Sequence, residues 1–232
     1  MPTGTCSGSR RPFCYLVVHP HTTRQAIAAA LWPDLEETPA ADNLRVNLGH
    51  LAKLLEPDRA PGEASFLLRA EASTVRLVIG PWLRVDAVEF ETDFEQAVKA
   101  EERGVPSEAL RHYEAAIARY HGPFVQDAGE AEWASWERDL VAGRYVRAAT
   151  RAGELLIGLG RVEEAVERGR LAIRADRWSE PAHRLLVRAW TAAGDRLSAT
   201  RALEDYRHLL GELGIAEGPE TERLARAIKL RG

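Results

Sequence analysis

At 232 residues, with 45% hydrophobic content and six Trp, the chain is long enough for one large or two ordinary domains around a sizeable core. Its formal net charge of −4 is unevenly made: residues 1–85 carry 9 Lys/Arg against 8 Asp/Glu, and residues 86–232 carry 22 against 27. Neither part is the strongly basic body of a non-specific nucleic-acid binder, so any DNA contact has to come from a local face.

The start is polar. Cys6 and Cys14 are the only cysteines and make no disulfide framework, which points to free thiols in a reducing cytoplasm. Ser9-Arg10-Arg11-Pro12-Phe13 resembles a twin-arginine export signal. The apolar run behind it, Phe13 to Val18, is closed by His19-Pro20-His21 and is too short for the apolar region of a signal peptide. No segment approaches the ~20 apolar residues of a membrane span. Residues 1–14 therefore read as a disordered or non-native start, and the protein as cytoplasmic with no membrane partner.

Thr22-Thr23-Arg24-Gln25 ahead of Ala26 to Trp32 reads as a capped short helix stopped by Pro33. From Pro39 to Leu55, Leu44, Leu48, Leu51 and Leu55 recur at spacings of four, three and four, the stripe of an amphipathic helix that Pro57 ends. Residues 65–69 and 75–79 are strand-like runs around a polar turn, a β-hairpin that Gly80-Pro81 closes, with room for one more short strand from Trp82 to Val85. Asp86 and Glu89 form a D-x-x-E capping box, and the domain boundary is placed there.

Beyond it everything reads as helix. Gly104, Gly160 and Gly194 are each followed five residues later by an alanine, Ala109, Ala165 and Ala199. The last two glycines are 34 residues apart, the period of a tetratricopeptide-type hairpin array, in which a small residue lets the partner helix approach closely. Gly and Pro punctuation predicts helices near 87–102, 106–120, 128–159, 162–175, 180–193, 196–211 and 219–230. The longer Gly104–Gly160 interval implies an insertion between Tyr120 and Trp136.

Several runs carry a family resemblance: Ala30-Leu31-Trp32-Pro33-Asp34, Ala41 to Leu48 leading to Leu54-Leu55-Glu56-Pro57, Val85 to Phe90, Tyr120-His121-Gly122-Pro123-Phe124, Glu132-Trp133 with Arg138, and Glu212-Leu213-Gly214 with Gly218-Pro219-Glu220-Thr221. Together they resemble bacterial transcriptional activator domain regulators of the SARP-like type, from about residue 20 to the end. The resemblance implies a DNA-binding transcription regulator, often part of a longer chain. It implies a mainly α fold: a partial winged helix-turn-helix of the OmpR/PhoB type with a β-hairpin wing over 15–85, then a TPR-like activator domain over 86–232. That winged helix normally opens with a small sheet and a complete first helix, so here it reads as incomplete at its amino end.

In a winged helix the second helix of the pair enters the major groove. Asn43, Arg45, Asn47, His50 and Lys53 are thus the DNA-binding candidates on the 39–55 helix, and the resemblance adds Trp32 as a phosphate contact. Arg69 and Arg76 on the hairpin are candidates for an adjacent minor groove. Gly49 and Ala52 stand where the resemblance expects cations, and fewer cations neutralise fewer phosphates. The same residues also fit a plain solvated helix face. The partners expected are double-stranded promoter DNA carrying repeats, and a protein or second copy held by the helical repeats, with Arg168, Arg170 and Arg174 as groove-lining candidates.

No catalytic, cofactor or metal site is expected. The chain has no G-x-S-x-G, no phosphate-binding glycine loop and no H-E-x-x-H, and His19 and His21 have no ligands at metal spacing beside them. The rival reading is a helical-repeat interaction scaffold, a piece of a larger regulator that has lost independent DNA binding.

Overall fold

A computed structural model describes residues 6–124 and 131–230, with only the backbone described for 6–8 and 230. It is mainly helical with one small three-stranded antiparallel sheet. In chain order the elements are α1 (Cys6–Val18), β1 (His21–Thr23), α2 (Arg24–Leu31), α3 (Glu37–Leu55), β2 (Leu68–Ala70), β3 (Thr74–Leu77), α4 (Asp86–Glu102), α5 (Pro106–Arg119), α6 (Glu132–Gly158), α7 (Val162–Ala175), α8 (Glu180–Ala193), α9 (Arg196–Glu212) and α10 (Pro219–Leu230). Two compact units divide the chain: residues 1–88 with 123–139, and residues 89–122 with 140–232.

In the first unit the order α1-β1-α2-α3-β2-β3 is that of a winged helix, with strands arranged β1-β3-β2. Leu16, Ile27, Leu31, Leu44, Leu48 and Leu51 from the three helices meet Leu68, Val75 and Leu77 from the sheet in one buried cluster. Alternation along β3 makes this possible, since Val75 and Leu77 point inward while Arg76 between them is exposed. Thr23 starts α2: its hydroxyl accepts from the Ala26 amide at 3.1 Å.

Three features of this unit differ from the sequence expectation. Residues 6–14, expected to be disordered or non-native, form most of α1, while residues 1–5 lie outside the described residues. The buried face of α1 is Ser9, Pro12, Tyr15 and Leu16, a helical stripe hidden from hydropathy because its first two members are not apolar in the usual sense. Trp133 supports it, with its ring edge-on to Tyr15 at 5.4 Å. Second, β1 is a strand although His21-Thr22-Thr23 carries no strand pattern: its pairing with β3, His21 opposite Arg76 and Thr23 opposite Thr74, makes it one. Third, Trp82 to Val85 adds no strand, only an isolated bridge from Gly80 to Leu83.

Asp86 opens α4, and its carboxylate accepts from the adjacent Ala87 amide at 2.8 Å. Glu89, the other half of the expected capping box, takes Arg119 at 3.0 Å. Cys14, half-buried, forms no disulfide, while the Cys6 side chain and the middle of the expected insertion lie outside the described residues.

The second unit is a helical array. Ala109, Ala165 and Ala199 are fully buried, as the repeat pattern requires. Gly104, Gly160 and Gly194 turn the chain at φ values of 71°, 74° and 76°, the left-handed region that glycine enters without cost. Helices also approach at places the period did not mark: a Cβ on Gly153 of α6 would collide with the Leu185 side chain of α8, and one on Gly169 of α7 would touch Leu186 at 3.4 Å.

Candidate nucleic-acid interface

The leucine stripe of α3 sets what the helix can present. With Leu44, Leu48 and Leu51 buried, Asn43, Arg45, His50 and Lys53 are exposed and Asn47 is half-buried at the margin. Arg45 is 76% exposed and touches Asp42 at 3.4 Å, an exposed pair worth about 0–1 kcal/mol that another acceptor can displace. The Asn47 amide donates to the Asn43 carbonyl at 2.8 Å, so reading a base would require it to leave its own helix. Trp32, the residue after α2, packs half-buried on the core and also borders a cleft of about 1050 Å³ between α2 and α3.

The two positions where a cation was expected behave differently. Gly49 is exposed, and a Cβ there meets nothing within 4 Å. Ala52 is only 7% exposed and belongs to the buried cluster, so the expectation that it could carry a base-reaching cation is corrected: the helix turns that position inward beside Leu48 and Leu51.

Beside α3 runs a groove of about 620 Å³ walled by β2, with Arg24, Arg45, Arg59 and Arg69 around it. Arg24 and Arg59 are absent from the sequence candidates. The Arg24 amide donates to the Ser73 carbonyl and its Nε to the Glu71 carbonyl, both at 2.9 Å, which ties the hairpin turn to the start of α2. Arg59 pairs with Glu56 at 3.4 Å and also donates to the Glu63 carbonyl, while Glu56 accepts from the Leu67 amide at 2.6 Å. These contacts shape the connection from α3 to β2. No spacing rule could have found Arg24, since its partner Glu71 lies 47 residues away.

Arg69 and Arg76 are brought together, directly opposite each other in the β2–β3 register, with His21 opposite Arg76 on the other side. All three are exposed on the face away from Val75 and Leu77. Arg69 also borders the α3 groove and lies over the Phe66 ring at 5.8 Å. Arg76 does not border that groove; it lines a separate cleft with His21, Val17, Val18 and Ile79.

Several arginines of the second unit are engaged within it. Arg168 grips Glu114 through two bonds of 2.8 and 2.6 Å, and Arg170 pairs with Glu167 while covering the Trp190 ring. Arg174 is exposed. Arg151 and the Tyr113 hydroxyl both bond Glu101 at 2.5 Å. Burial alone would raise the Glu101 pKa, but these two bonds hold it below the usual carboxylate value, and burial together with Glu101 pushes the Tyr113 phenol up. Tyr206 is pushed up to about 12, first by burial and then by Glu180.

Among the described residues no three His, Cys, Asp or Glu side chains are grouped to hold a metal ion, and no helix is long and apolar enough to cross a membrane.

Comparison with known proteins bears on both units. The family described as bacterial transcriptional activator domain matches residues 85–229. The structure of Mycobacterium tuberculosis EmbR in complex with a low affinity phosphopeptide matches with a TM-score of 0.79 at 24% identity, over 100% of this chain and 61% of that one. At that identity the likeness is one of fold, and the chain spans less than two thirds of its relative. Comparison with curated protein sequences gave no match.

Proposed function

The chain belongs to the bacterial transcriptional activator domain family, and from that premise we propose that it is a cytoplasmic transcription regulator that binds promoter DNA by laying α3 in the major groove. The observation that carries the reading is the face of α3: Asn43, Arg45, His50 and Lys53 stand exposed on a helix whose opposite stripe is locked into a winged-helix core. Arg45 and Lys53 supply the cations, and Asn43, Asn47 and His50 supply hydrogen-bonding groups for base edges. Trp32 borders the phosphate on the α2 side of the groove, and Arg69 does so on the hairpin side. The second unit, in which Arg119, Arg151 and Arg168 are engaged by carboxylates of the same unit, serves as a scaffold for a protein partner.

The number of cations decides how tightly this surface holds DNA. Each phosphate contact contributes about 0.9 to the slope of log affinity against log salt, so a surface of two or three Arg/Lys gives weak binding that falls modestly with salt. Fluorescence anisotropy with duplexes carrying direct repeats tests the reading. Wild type binds at low salt, and Arg45→Ala together with Lys53→Ala lowers both affinity and slope. If no duplex is bound at low salt, the interaction-scaffold reading takes its place.

A further inference from the structure

The sheet of the winged-helix unit carries a charged row that the DNA reading draws on at Arg69 alone, leaving Arg76 and His21 without a role. His21, Arg76 and Arg69 form one row across β1, β3 and β2, each directly opposite the next. Directly opposed like charges on neighbouring strands destabilise a sheet, and among the described residues neither arginine has a carboxylate partner. Beside Arg76 and His21 the surface dips into a cleft of about 620 Å³ walled by Val17, Val18 and Ile79. A basic row with an apolar cleft next to it fits an acidic segment that carries an exposed branched apolar residue.

The same unit exposes such a segment elsewhere. From the turn after α2 into the first residue of α3 run Asp34-Leu35-Glu36-Glu37, all exposed, with Leu35 43% exposed in the midst of three carboxylates. Leu35 and Glu37 border the cleft between α2 and α3, which shares no residue with the cleft at the basic row. We propose that the Asp34–Glu37 segment of one copy docks on the His21–Arg76–Arg69 row of a second, with Leu35 entering the valine-lined cleft and Glu36 and Glu37 pairing with Arg76. Because two different surfaces meet, the contact is heterologous: it propagates from copy to copy in one direction and does not close into a symmetric pair. Two copies on neighbouring DNA sites would thereby share one orientation.

Sedimentation velocity of the full chain without DNA, at low salt and rising concentration, tests this apart from DNA binding. Wild type self-associates. Arg76→Glu alone and Glu36→Lys with Glu37→Lys each weaken association by roughly tenfold, and more at low salt than at high, as expected for complementary charges. An equimolar mixture of the two variants associates again, because the native acidic loop of one meets the native basic row of the other. Circular dichroism confirms that each variant is folded, and Arg76→Gln gives a milder loss. A monomeric wild type, association that survives either variant, or a mixture that stays monomeric overturns the proposal. So does a result in which Arg76→Glu leaves association unchanged and lowers affinity for a single-site duplex, since the row would then be a phosphate contact.

Discussion

The helical array and the exposed face of α3 use arginine in opposite ways. In the helical array Arg168, 22% exposed, is held by both oxygens of Glu114, and Arg151 is shared between Glu101 and Glu154. On α3 of the winged-helix unit Arg45 is 76% exposed with one weak neighbour. A guanidinium locked in a bidentate, half-buried pair stabilises a helix packing and is unavailable to a ligand. One on an exposed stripe adds little to stability and is free to meet an anion. Net charge per unit therefore says little about binding; the fraction of cations left unpaired says more.

Packing, where the array should be least forgiving, sharpens that contrast most. Ala165→Leu or Ala199→Leu, both at fully buried positions, should destabilise the protein by about 1–3 kcal/mol in urea unfolding, because a larger side chain there has to displace packed neighbours. Gly153→Val should behave alike through its collision with Leu185. Unchanged urea midpoints would mean that the array adjusts its helix spacing freely.

The winged-helix unit should respond to its cap. Thr23→Ala removes the acceptor for the Ala26 amide and should cost about 1 kcal/mol. A chemical-denaturation curve resolves that loss, and Thr23→Ser should recover most of it.

Gly49→Arg would break the contrast from the other side. The position is exposed and open, so losing a helical glycine should add up to about 1 kcal/mol of stability while giving α3 another free cation. Anisotropy should show tighter, more salt-sensitive DNA binding. A variant that gains stability without gaining affinity would separate α3 from DNA contact. Ala52→Arg is no companion to it, since it would force a guanidinium into the core.

The smallest effect concerns pH. The pKa of Glu101 in the folded protein lies below its ordinary 4.5, so its contribution is complete above that value and is lost as pH falls through the lowered one. Wild type should lose stability on acidification below about 4.5, and Glu101→Gln should lose less over the same window while starting weaker at neutral pH. Equal acid limbs for the two proteins in urea titrations would show that the Arg151 and Tyr113 bonds do not act on folding.

Periodicity and punctuation by themselves determined most of the architecture. The helix bounds after Asp86, the leucine stripe of α3 and the capped α2 depend on residues within a few positions of one another, so the chain states them locally. Tertiary structure alone decided the rest. α1 is invisible to hydropathy because Ser9 and Pro12 occupy its buried face, and β1 exists because β3 pairs with it. Ala52 reads as a free surface position until the sheet is packed against the helix. Arg24 holding the hairpin turn depends on a residue 47 positions away, and His21 joining the Arg76–Arg69 pair depends on β1 finding β3 across the sheet. A sequence specifies its near neighbours through helical and strand period, but which side chains share a surface is fixed only when the strands choose their register.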